Sequence, residues 1–178
     1  MKSDVIVIDN QGNGFRDAVE QTKRTAAFRG LNSKDSLHLQ LITEEMLSLA
    51  RSVTGEMKAS FWIEGDDNQF DLHLSTETVM DKEKRALLIS SATNRKNDAA
   101  KGFLGKLRDA FEQAMVADAV HPSADLPPEI LADIPATAFE DADWDGYEKS
   151  VLKRLADNVK IGIRGSVVDM TVSKKIAG

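Results

Sequence analysis

The chain has 178 residues, of which 42% are apolar and 29% charged, with a net charge of −6 and no cysteine. This length suits one domain with a substantial buried core, and the absence of cysteine excludes disulfides and thiolate chemistry. The acidic balance argues against general nucleic-acid binding, which relies on many phosphate contacts, and the apolar runs fall short of the roughly 20 residues of a membrane span.

The charge is segregated. Residues 79–108 hold eight Lys or Arg against three acids, whereas residues 109–148 hold eleven acids and no Lys or Arg. A local basic segment suits a small polyanion, although a solvated helix face explains such a run equally well. His38, His73 and His121 have no zinc-type spacing, so no dedicated transition-metal site is expected. No secretory signal is read at the start, and a cytoplasmic address is expected.

In chain order, Val5 to Ile8 is an unbroken apolar run of the kind found in strands covered on both faces. DNQGNG then reads as a turn, its lone Gly-x-Gly too weak to indicate a phosphate loop. Phe15, Val19, Thr22 and Ala26 recur at helical spacing until Gly30 ends the helix. Ser33 is the expected cap of the next helix, with Asp35 in its first turn.

That next helix, within LHLQLITEEMLSLARSVTG (37–55), carries the clearest chemical signature. Leu39, Ile42, Met46, Leu49, Ala50 and Val53 form one buried face. Glu44 and Ser48, one turn apart, lie on a line flanked by Leu37, Leu41 and Leu47. A carboxylate so placed is expected to be partly desolvated, as a paired structural acid or as a tuned functional one.

ASFWIE and FDLHLST alternate apolar and polar residues around GDDNQ, which predicts an antiparallel hairpin with one apolar face and an exposed His73 on the other. A short basic helix over 81–91, capped by Asp81, leads into SATNRKND, which reads as a mobile loop. A helix from about Ala99 to Ala117 buries Phe103, Leu107, Phe111 and Met115. The acidic stretch 118–146 holds all four prolines and reads as a long irregular insertion. A short helix over about 144–157 and the strands VKIGI and VVDMTVSK close the chain. The expected fold is a single α/β domain over residues 1–178. It is a two-layer sandwich whose mixed, largely antiparallel sheet is covered by helices on one face.

This order resembles the histidine-kinase-like ATPases, the Bergerat fold of gyrase-type, chaperone and sensor-kinase ATPases, and most closely the anti-sigma-factor serine kinases. Gly30-Leu31 leads into the long helix, and the hairpin, lid region, glycine-started helix and final hairpin follow in the family's order. The likeness covers most of residues 1–117 and 146–175. It implies ATP with Mg2+ as cofactor, serine kinase or ATPase chemistry, a regulatory protein partner and a homodimer. By the same resemblance Glu44 matches the general base, and Ser48 stands where the family has an Asn that holds magnesium. The adenine-binding Asp-x-Gly-x-Gly falls on Thr76, Thr78 and Met80, so none of its three residues is kept. Gly102 and Gly105, beside Lys101 and Lys106, match the glycine-rich helix start that cradles phosphates, and an ordinary loop-to-helix junction explains them as well. Two functions follow as expectations. One is a regulatory nucleotide-binding module with weak or lost catalysis. The other is a scaffold that has lost nucleotide and binds a protein partner through the acidic insertion, with Trp144 and Tyr147 as anchors.

Overall fold

Alternation within the strands decides which way the sheet faces. A computed structural model describes residues 1–9, 11–55, 58–66, 68–99 and 152–176. The helix expected beyond Ala99 and the insertion over 118–146 lie outside these residues. The elements are β1 (Ile6–Ile8), α1 (Phe15–Phe28), α2 (Ser33–Thr54), β2 (Ala59–Asp66), β3 (Gln69–Glu77), α3 (Lys82–Ser91), β4 (Asn158–Arg164) and β5 (Val167–Lys175). In β2, Ala59, Phe61 and Ile63 are buried, while Ser60, Trp62 and Glu64 between them are half-buried. β3, β4 and β5 repeat the pattern.

The sheet runs in the order β1-β2-β3-β5-β4, and each of its ladders is antiparallel. The expected mixed sheet is corrected accordingly. Its parallel element is confined to an isolated bridge between Asn97 and Ile161. One cross-strand row, Ile6–Phe61–Leu74–Met170–Ile161, spans all five strands on the buried face. The adjacent row, Trp62–His73–Thr171–Lys160, lies on the opposite face. A slip of one residue would exchange these rows, so burial of Phe61 and Leu74 fixes the register.

The buried face packs with α1, α2 and α3 into one core that includes Leu39, Met46, Phe61, Phe70, Leu88 and Leu152. The ends of α1 and α2 are set locally. Gly30, at φ +70°, follows α1, and the amides of Gly30 and Leu31 bond back to the carbonyls of Ala27 and Ala26. That paired return satisfies the last carbonyls of the helix. α2 is capped by Asn32, whose Oδ1 accepts from the Asp35 amide at 2.9 Å, and not by Ser33. Asp81 caps α3 as expected, accepting from the Lys84 amide at 2.7 Å.

The two sheet edges differ. Residues 93–98 close the β4 edge: the Thr93 amide donates to the Val159 carbonyl and the Asp98 amide to that of Ile161. The Asn97 carboxamide satisfies both backbone groups of Ile163, at 2.8 and 2.9 Å. The segment expected as a mobile loop is therefore an edge cover, because its side chains replace a missing strand. At the other edge β1 has three residues, and Val5 and Val7 are 52% and 72% exposed. The expectation of a strand covered on both faces fails there, since the described helices all lie on one side.

Candidate functional site

Leu37, Leu41, Glu44 and Ser48 follow i, i+4, i+7, i+11 and so form one stripe along α2. The buried residues of this helix, centred on Leu39, Met46 and Ala50, occupy the other side. Leu37 is 56% exposed, Glu44 is exposed, and Leu41 and Ser48 are half-buried. The expected desolvation of Glu44 is corrected: two of its three flanking leucines lie on the outward stripe instead of burying it. Only Leu47 is fully buried. Among the described residues, Glu44 has no ion pair or side-chain hydrogen bond that would mark it as a structural acid.

Thr76 and Thr78 lie at and just beyond the end of β3, and both are buried. The Thr76 hydroxyl donates to the Lys58 carbonyl at 3.0 Å, leaving only its lone pairs to accept. The Thr78 amide donates to the Ser166 carbonyl at 2.9 Å, tying the end of β3 to the β4–β5 turn. Met80 packs against the core, and Val79 beside it is 84% exposed.

A cavity of about 270 Å3 lies beside Thr76, bounded by Val7, Lys58, Ser60, Ser75 and Val167. Neither Glu44 nor Ser48 lines it, so the described residues do not join the two halves of the expected site. Lys101, Gly102 and Gly105 lie outside the described residues. A second hollow, of about 950 Å3, lies at the far end of the β2–β3 hairpin among Lys2, Glu64, Gln69 and Lys175. Among the described residues no group of three or more His, Asp or Glu is placed to hold a metal, and no helix is long and apolar enough to cross a membrane.

Among the described residues, a coupled group of side chains lies elsewhere, on the sheet face turned from the helices. His73 is not simply exposed. Its ring stacks on Trp62 with centroids 4.9 Å apart and planes within 9°, and its Nδ1 lies 3.1 Å from Thr171 Oγ1. Burial pushes its pKa below the usual 6.5, against the opposing pull of Glu64 and Asp71. Glu64 is held below the usual carboxylate range by hydrogen bonds from Lys2 and then Trp62. The sequence signal was present: the hairpin alternation around GDDNQ puts Trp62 and His73 on one face, and they are cross-strand partners.

Comparison of the chain with family models and with curated proteins gives no match.

Proposed function

We propose that the chain is a regulatory nucleotide-binding module of the kind its sequence resembles, with catalysis weak or lost. The observation that supports this reading is Glu44, an exposed carboxylate on the outward stripe of α2, the longest described helix, with Ser48 one turn on. A general base needs that combination of a rigid backbone and an accessible oxygen. Ser48 would offer one hydroxyl oxygen to Mg2+. That suits an ion which keeps several waters and is bound mostly through substrate phosphates. Isothermal titration with Mg-ATP and Mg-ADP tests the reading. Heat that saturates at or below millimolar nucleotide is expected, and no heat at that concentration overturns it. Glu44→Gln should keep the binding heat and abolish any residual hydrolysis.

A second reading is favoured by Thr76 and Met80. The Thr76 hydroxyl proton is committed to Lys58, and Met80 is packed against the core where the resemblance calls for glycine. On this reading the fold is kept as a scaffold for a regulatory protein partner. Pull-down by the full chain and by a variant lacking residues 118–146 separates the two. Loss of a partner in the second sample, with no nucleotide heat in the first, would establish the scaffold.

A further inference from the structure

The first residues of the chain lie along β2 and are held by few groups. The Ser3 amide donates to the Ile63 carbonyl at 2.8 Å, and the Ile63 amide donates to Ser3 Oγ at 2.9 Å. Met1 and Gly65 exchange backbone bonds, and Lys2 bridges to Glu64. Ser3 lies against Ile63 and Ile6 against Phe61, so three steps on one strand match two on the other. Asp4-Val5 is thus a bulge in the edge strand. Besides the Ser3 Oγ contact, a side chain of this segment is anchored by the ion pair from Lys2 Nζ to Glu64 Oε1, at 3.2 Å. Lys2 Nζ also lies 5.0 Å from the centroid of Trp62.

Glu64 has a second suitor. His73 Nε2 is buried without a hydrogen-bond partner, and Glu64 Oε2 lies 3.8 Å from it, beyond hydrogen-bond reach. The ring is fixed on its other sides, by the Trp62 stack and by Thr171 Oγ1 at Nδ1. A closer approach therefore has to come from Glu64. Its Oε1 is meanwhile engaged by Lys2 and by Trp62 Nε1, at 3.2 and 3.1 Å. The other charged groups about the ring are Asp71 on its own strand, Asp169 on β5 and Lys160 on β4. Asp169 is already taken by Ser75 and Arg164. Lys160 lies beyond Thr171 in the cross-strand row.

We propose that Glu64 is shared between Lys2 and His73, so that protonating His73 draws the carboxylate to Nε2 and loosens the N-terminal segment from the sheet edge. The competition favours His73 once it is charged. A hydrogen bond between two ionised groups at a ring that is 19% exposed outweighs an ion pair whose side chains are 57% and 46% exposed. The proton that His73 takes up comes from solvent.

The test combines a side-chain titration with backbone exchange on the full chain. In a Trp144→Phe background Trp62 is the remaining tryptophan. Its emission should fall on acidification with the same midpoint as the His73 ring protons read by NMR. Protection of the Ser3 amide, corrected for the intrinsic effect of pH, should drop several-fold across that midpoint. His73→Gln should abolish the drop, with His73→Asn in its place if the first variant does not fold. Glu64→Gln should lower the His73 midpoint further and make Ser3 protection independent of pH. Equal Ser3 protection on both sides of the His73 midpoint overturns the proposal, as does a drop that survives in the His73 variant.

Discussion

Thr22 on α1 and Thr43 on α2 are both fully buried, with their hydroxyl oxygens 2.8 Å apart. Each also reaches the carbonyl one turn back on its own helix, Ala18 and Leu39 respectively, at 2.9 Å. Two hydroxyl protons thus serve three contacts, and one contact is always without a proton. Replacing Thr43 with the isosteric Val leaves Thr22 bonded to Ala18, so the loss should be about 1 kcal/mol or less by urea denaturation. A cycle with Thr22→Val should show a small coupling between the two. Phe61 lies in the buried cross-strand row, paired with Ile6 and Leu74, and is fully buried. Phe61→Ala should cost about 3–5 kcal/mol in the same measurement. The pair was not legible from sequence, because the contact joins residues on two helices, 21 positions apart along the chain.

The turn before α1 shows how an element's start can be fixed by one backbone approach. The Asp9 carboxylate accepts from the Gln11 and Asn13 amides and from Asn13 Nδ2, closing the loop on itself. Gly14 then begins α1 at φ +85°, where an added Cβ would lie 2.2 Å from the Val7 carbonyl oxygen. Gly12 has a similar φ of +84° but nothing within 4 Å of an added Cβ. Gly12→Ala should therefore cost only the left-handed penalty of about 1–2 kcal/mol, while Gly14→Ala should cost clearly more, since backbone must also move. The comparison of the two unfolding midpoints is the check. Sequence marked this stretch as a turn, and the steric demand on Gly14 came from β1 lying against it. The α2 cap makes a parallel case. Asn32→Ala should cost about 1 kcal/mol, and Ser33→Ala much less, because Asn32 supplies the capping oxygen.

On the scale of the whole molecule, acid should destabilise the fold in two stages. His73 is held below 6.5 when folded, so the unfolded chain takes up its proton first. Stability is lost as pH falls through 6.5, until the folded value is reached. Asp9, Glu64 and Asp157 are held below their ordinary values, Asp9 chiefly by the Asn13 side chain and Asp157 chiefly by the Lys175 amide. Their contribution is present above the unfolded carboxylate range and is lost as pH falls below it. Thermal midpoints from pH 7.5 down to 3, with about half-unit steps as ordinary practice for groups separated by roughly two units, should show both declines. The first should be absent in His73→Gln.

The sequence by itself determined α1, α2 and α3, the β2–β3 and β4–β5 hairpins and the buried face of β2 and β3. These follow from periods of two and of three to four residues, which neighbouring side chains set wherever they sit in the fold. It also placed the Asp81 cap and the end of α1, whose partners lie within one turn. Tertiary structure alone decided the rest. It made β1 an exposed edge, turned residues 93–98 into a cover for β4, and left Glu44 facing outward. It also seated His73 between Trp62 and Thr171, the latter 98 residues away along the chain. Each of these depends on which distant strand or helix arrives as a neighbour, and local periodicity holds no record of that choice.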